Sequence, residues 1–144
     1  MNRKTALVAI AGALAALGIL MALVGPSGGN VKSVERIAQS TDHYTEADIL
    51  AAFNAIETEF ASEFEGCTLE EVRYDSEVET RHLDEMLEHG QKGKGDLIVV
   101  LSKFTTDWRA ADEGLSPHDR YEDWQWILIR PSQDAPWKIV DWGY

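Results

Sequence analysis

Residues 123–144 read DWQWILIRPSQDAPWKIVDWGY and hold four of the five tryptophans in the chain. Two runs rich in aromatic and β-branched residues flank PSQDAP, whose prolines and aspartate are typical of a turn. We predict strands over residues 121–130 and 137–144, joined by a turn at residues 131–136. The density of aromatic side chains raises the question whether this hairpin is a sheet core or a binding surface.

Side chains alternate between the two faces of a strand, and this rule sorts the hairpin. It assigns Trp124, Trp126 and Leu128 to one face, and Ile127 and Ile129 to the opposite face. In the last strand it separates two sets: Trp137, Ile139 and Asp141 on one face, and Val140, Trp142 and Tyr144 on the other. Both faces are apolar, and one helix covers only one of them. We expect the tryptophans mainly to pack in a core, with a homodimer contact through the sheet and ligand binding as alternatives.

A long amphipathic helix is predicted upstream of the hairpin. Thr45 is followed three residues later by Asp48, an arrangement typical of a helix N-terminus. The pattern ends at Gly66, and between these points apolar side chains recur at spacings of three and four: Ile49, Leu50, Phe53, Ile56, Phe60 and Phe64. Because they form one stripe, we expect the helix to pack on a flat apolar surface.

The remaining elements complete an α+β order. We predict a short helix over residues 31–38, a strand over 68–74, and a second helix that Asp75 and Ser76 cap and that runs to His89. The run that begins at Asp96, DLIVVLSKFTTDW, predicts a strand buried on both faces along half its length. A polar loop at 109–120 leads to the hairpin. The late strands are joined by loops, so we expect an antiparallel meander with the long helix on one face, an α+β roll.

The first 25 residues predict a membrane anchor. No charged residue occurs from Ala6 to Gly25, and about 20 apolar residues at ~1.5 Å each span the hydrocarbon core of a bilayer. Arg3 and Lys4 precede this run, which predicts that the rest of the chain is extracytoplasmic. The alternatives are a cleaved signal, which would make the protein secreted, and a buried helix. We divide the chain into an anchor (1–25), a linker (26–43) and a roll domain (44–144).

Charge and cysteine content exclude some partners. All 25 acidic residues but only 11 of the 13 basic ones lie within residues 30–144, a net charge of −14 that repels phosphate backbones. We therefore expect no nucleic acid partner. Cys67, the single cysteine, forms no internal disulfide, and we expect it to be buried. No sequence motif indicates a cofactor.

Three segments resemble a known group of proteins. FEGCTL at residues 64–69, WQWILIR at 124–130 and PWKIVDWGY at 136–144 resemble a bacterial family of small secreted or membrane-anchored domains of unknown function. The resemblance covers about residues 44–144. The element order is also similar to the cystatin-like or nuclear-transport-factor-2-like roll, which implies a strongly curved sheet with helices on its concave side. The resemblance implies a fold and brings no catalytic residues.

Two sets of polar residues are candidates for chemistry. His82, Glu85 and His89 lie within a 60° sector of the second predicted helix, and imidazole with carboxylate is a zinc-binding combination. The alternative is a solvated helix face, since the histidines are about 10 Å apart along the axis. Asp141 lies among tryptophans, where a raised pKa would suit a general acid or base. The alternatives for Asp141 are an ion pair with Arg130 and a hydrogen bond to the backbone.

These observations favour a membrane-tethered, extracytoplasmic binding or interaction module without catalysis. The alternative from a different class is a small-pocket enzyme of the same roll that uses Asp141. The predicted ligand-binding or interface residues are Trp124, Trp126, Trp137 and Trp142. The identity of a protein or small-molecule partner is not predicted.

Overall fold

The computed structural model describes residues 28–81 and 96–144. The elements in chain order are β1 (Glu35–Ile37), α1 (Glu46–Glu63), β2 (Cys67–Tyr74), β3 (Asp96–Thr106), a 3-10 helix (Trp108–Glu113), β4 (Arg120–Arg130) and β5 (Lys138–Gly143). A further helical segment covers residues 76–81. The short helix predicted over residues 31–38 is wrong, because strand β1 lies there. The predicted end of the second helix at His89 falls outside the described residues.

The sheet has five strands in the order β1-β2-β3-β4-β5. Strands β2 to β5 are antiparallel neighbours, which confirms the predicted meander. The three residues of β1 pair in parallel with β2, so the sheet is mixed. With one long helix packed on this sheet, the described part of the chain has an α+β fold.

Helix α1 begins at the predicted capping box. The Thr45 hydroxyl accepts a hydrogen bond from the Asp48 amide at 3.2 Å, and the Asp48 carboxylate accepts one from the Thr45 amide at 3.0 Å. Two backbone N–H groups that the helix leaves without partners are thereby satisfied. The same carboxylate also binds the guanidinium of Arg130 on β4 at 2.9 Å, which ties the start of the helix to the hairpin.

The core lies between α1 and one face of the sheet. The helix contributes the buried residues Ile49, Ala52, Phe53, Ile56 and Phe60. Phe60 meets Phe104 of β3 edge to face, with ring centroids 5.5 Å apart. Cys67 is buried in the same core as predicted, and this burial raises the pKa of its thiol to about 11. At neutral pH the thiol is therefore protonated and unreactive.

Extra residues in three strands change which side chains face the core. The pairing skips Glu70 in β2, it sets Glu122 and Asp123 of β4 opposite the single residue Lys103 of β3, and it skips Val140 in β5. Each of these three strands therefore has one extra residue. At the second of these bulges Asp123 adopts a positive φ of 56°. A bulge shifts the alternation by one position, so residues three apart share a face.

The bulge at Val140 corrects the predicted faces of the last strand. Ile139 pairs with Leu128, and Trp142 pairs with Trp126, so Ile139 and Trp142 lie on the same face, toward α1. The prediction that Trp142 lies opposite Ile139 was wrong, because it assumed strict alternation. Asp141 pairs with Ile127 and faces away from the helix.

The second apolar face is only partly covered. Val99, Leu101 and Ile127 are buried there, and Val78 of the helical segment lines the same cavity as Leu101. Ile129 and Val140 remain exposed. Within the described ranges no helix is long and apolar enough to cross a membrane. The predicted anchor at residues 1–25 lies outside those ranges.

Substitution of the least and the most exposed tryptophan tests the position of the core. Trp126 is fully buried, whereas Trp108 is 68 % exposed. Trp126→Ala should lower the free energy of unfolding by about 3–5 kcal/mol, since it removes a large side chain and leaves a cavity. Trp108→Ala should change it by less than about 0.5 kcal/mol. Urea unfolding followed by circular dichroism measures both values. Equal effects of the two substitutions would contradict this core.

Candidate functional site

An aromatic cleft with an acidic rim lies where α1 ends. It has a volume of about 380 Å³ and is lined by Glu59, Glu63, Phe64, Glu113, Gly114, Leu115, Trp124 and Trp142. These residues come from the end of α1, the 3-10 helix and the β4-β5 hairpin. Its volume is within the range of small-molecule sites in proteins. We refer to these eight residues as the cleft.

Trp142 provides the exposed aromatic surface of the cleft. Its side chain is 44 % exposed, whereas Phe64 and Trp124 are buried. The ring is held from behind by Phe64, with centroids 6.1 Å apart, and by Trp126, with centroids 5.8 Å apart. Because these neighbours are packed in the core, the Trp142 ring is fixed in position while part of it stays open to solvent.

Three acidic residues line the cleft together with Trp142. Glu59 and Glu63 are one helical turn apart on α1, which places their Cβ atoms about 5–6 Å from each other. Glu113 ends the 3-10 helix, next to Gly114. No ion pair joins any of the three to a residue in the described ranges. The cleft therefore combines concentrated negative charge with an aromatic wall.

Trp124, which lines the cleft, carries a buried polar group without a partner in the described part of the chain. The residue is only 9 % exposed, and its indole Nε1 has no hydrogen-bond acceptor among the described residues. By contrast, Trp126 donates to the Ser102 hydroxyl at 2.8 Å. A buried donor without an acceptor costs free energy, so native proteins contain few of them.

The predicted tryptophans thus occupy three different positions. Trp124 and Trp142 line the cleft, whereas Trp126 lies beneath it in the core. Trp137 lies apart from the cleft, at the start of α1, where its indole N–H donates to the Asp48 carbonyl at 3.0 Å. The guanidinium of Arg130 stacks on the Trp137 ring, 4.3 Å from its centroid.

Asp141 is exposed on the face of the sheet that points away from α1. Its carboxylate accepts a hydrogen bond from the Trp142 amide at 2.9 Å, which is the backbone alternative named above. Arg130 instead pairs with Asp48 and Asp96. The cavity beside Asp141 measures only about 50 Å³, far below the volume of a typical ligand site.

The predicted metal ligands His82, Glu85 and His89 lie outside the described residues. Within residues 28–81 and 96–144, no group of three or more histidine, cysteine, aspartate or glutamate side chains is arranged to hold a metal ion.

A buried acid that the sequence did not single out lies in the helical segment 76–81 that follows β2. Glu79 is only 5 % exposed, and desolvation raises the pKa of its carboxyl group. It accepts hydrogen bonds from the Val99 amide at 3.1 Å and from the Tyr74 hydroxyl at 2.9 Å. Burial also raises the pKa of Tyr74, so its phenol stays protonated and available as a donor.

The position of Glu79 explains its burial without a catalytic role. Strand β2 ends where Tyr74 pairs with Val100, so earlier residues of β3 have no strand partner on that side. Glu79 satisfies the amide of Val99, and the Tyr44 hydroxyl satisfies the carbonyl of Leu97 at 2.6 Å. Two side chains thus replace the missing strand.

Sequence reasoning missed several residues of the cleft. The spacing of Glu59 and Glu63 shows that they share a helical face, and this signal was available. Nothing in the sequence connects them to Glu113 and Leu115, which are about 50 residues away along the chain. Comparisons of the chain with protein-family models, with curated proteins and with solved structures found no match.

The buried carboxyl of Glu79 predicts a pH effect of unusual sign. Because its pKa is raised by folding, its contribution to stability is full below its pKa in the unfolded chain, about 4.3, and is lost as the pH rises through the folded-state pKa. The stability of the wild type relative to Glu79→Gln should therefore fall as the pH rises above about 4.3. Urea titrations at several pH values measure this difference.

Asp48 provides the control with the opposite sign. Hydrogen bonds from Arg130 and from the Thr45 amide lower the pKa of its carboxyl group. Its contribution is present above the unfolded-state pKa of about 3.9 and is lost as the pH falls. The stability of the wild type relative to Asp48→Asn should fall toward low pH. The same direction of change for both pairs would contradict the assignment of these two environments.

Proposed function

We propose that the protein is a membrane-tethered, extracytoplasmic binding module that acts without catalysis. The observation that carries the proposal is the cleft, which is lined by an exposed tryptophan packed on core aromatics and by three acidic residues. Such a convergence of aromatic and polar groups in a concave surface is typical of ligand sites. The exposed position of Asp141, beside a cavity of about 50 Å³, gives the enzymatic alternative no support.

The proposed location rests on the N-terminal sequence. An uncharged run from Ala6 to Gly25 follows Arg3 and Lys4, and this order favours a single span with the roll domain outside the membrane. Residues 26–43 would then connect the anchor to the domain. In a secreted form, after cleavage of the run, the same domain would be free in solution.

We also propose that the domain is a cystatin-like or nuclear-transport-factor-2-like roll of the bacterial group with unknown function. Helix α1 followed by the β2–β5 meander supports this finer assignment, as do the bulges in three strands, which bend a sheet around the helix it covers. A homodimer through the sheet remains a further proposal, which the exposure of Ile129 and Val140 supports.

Protease accessibility tests the proposed location. The full chain with an epitope tag after Tyr144 is expressed in bacteria, and protease is added to spheroplasts. We expect the tag to sediment with membranes and to be removed by the external protease. A tag that resists digestion until the membrane is dissolved would overturn the proposed orientation, and a tag in the culture medium would identify the cleaved form.

Native mass spectrometry of the full chain in a mild detergent tests the binding function. We expect an added mass on the wild-type protein, reduced in Trp142→Ala because this substitution removes the exposed wall of the cleft. Trp108→Ala is the matched control, since it removes an exposed tryptophan that does not line the cleft, and it should retain the added mass. A bare wild-type protein, or equal loss in both variants, would contradict a binding module that uses this cleft.

A further inference from the structure

We propose that the cleft binds a small organic cation, with its ammonium group between the Trp142 ring and the carboxylates of Glu59, Glu63 and Glu113. The inference rests on the proposed binding function and specifies the chemical class of its ligand. It depends on three features of the described residues: the charge of the cleft, its aromatic wall and its size.

The charge of the cleft selects for a cation. Three carboxylates border it, and none of them pairs with a basic residue in the described part of the chain. Glu57, by contrast, pairs with Arg36, and Glu70 pairs with Arg120. The acids of the cleft therefore keep their charge available for a ligand. The acidic balance of the whole domain draws cations toward it as well.

The aromatic wall favours an organic cation over a metal ion. Tryptophan is the best aromatic partner for a cation, because its ring face carries negative electrostatic potential. Trp142 lines the cleft together with the acids, and Phe64 and Trp126 pack against its ring. A metal ion would need several oxygen ligands that converge on one point, an arrangement not found among the described residues. Alkyl groups attached to an ammonium, by contrast, suit the apolar surfaces of Trp142 and Leu115.

The size of the cleft limits the size of the ligand. A volume of about 380 Å³ is at the small end of the range for ligand sites, so it suits a molecule rather than a protein segment. The indole N–H of Trp124, which has no acceptor within the described residues, is itself closed to solvent, so it takes no part in the proposed contacts.

Calorimetric titration of the full-length protein in nonionic detergent tests the inference. The probes are choline and its uncharged analogue 3,3-dimethylbutan-1-ol, which has the same shape and hydroxyl group, together with tetramethylammonium and butylammonium. We expect choline to bind at least ten times more tightly than the uncharged analogue, and its affinity to fall with added salt because the acids of the cleft contribute.

Variants connect that affinity to the cleft. Trp142→Ala should weaken choline binding about tenfold or more, as should the combined change Glu59→Gln, Glu63→Gln and Glu113→Gln. The controls are Trp108→Ala and Glu46→Gln, the latter on the first turn of α1, about 25 Å from Glu63 by the helical rise. Both should bind as the wild type does. Circular dichroism of each variant establishes that it is folded.

The outcomes separate this inference from the proposed function. Equal affinity for choline and its uncharged analogue, lost in Trp142→Ala, would overturn the cation preference but support a binding cleft. Failure of all three cations to bind a folded protein would overturn the inference, while the added mass in native mass spectrometry would still decide the binding function. Choline binding that is unchanged in both cleft variants would place the cation elsewhere and overturn the site.

Discussion

The structure depends on three bulges that adapt a meander to the helix it covers. A strand without a bulge gives every second side chain to the core, whereas one extra residue lets side chains three apart share a face. Leu69 and Val72 both reach the core in this way, and so do Tyr121 and Trp124. The third bulge, at Val140, places Trp142 beside Phe64 instead of on the opposite face. Core packing and the cleft are thus consequences of the same departure from regular pairing.

A second constraint fixes the start of α1 to the sheet. Asp48 caps α1 through Thr45, binds Arg130, and accepts the indole hydrogen of Trp137 on its backbone carbonyl. Arg130 lies between Asp48 and Asp96, and its planar group stacks on Trp137. One residue therefore sets where the helix begins and how the hairpin lies against it. Because the opposite end of α1 carries Glu59 and Glu63, this attachment also sets the position of the acidic rim.

Local patterns predicted what depends on local physics. The capping box and the apolar stripe of α1 are written in neighbouring residues, and the strands of the meander follow from apolar runs between turn residues. The face of Trp142 could not be predicted, because a bulge leaves no mark in the pattern of apolar residues along one strand. Strand β1 was missed because three exposed residues carry no periodic signal. The burial of Glu79 depends on where a neighbouring strand ends, which is a property of the assembled sheet.

The bulge at Val140 also affects how the molecule behaves among its copies. Strand β5 is the last in the sheet, and an unpaired edge with exposed apolar residues invites another chain to add a strand and start aggregation. A bulge twists such an edge, and the charges of Lys138 and Asp141 make it a poor template for a neighbour. The bulge at Val140 therefore has two effects: it makes the edge strand a poor template for another chain, and it places Trp142 in the wall of the cleft. A sequence change that removed this bulge would move Trp142 to the face of the sheet opposite α1. It would also leave a flat, apolar edge strand that another chain could pair with.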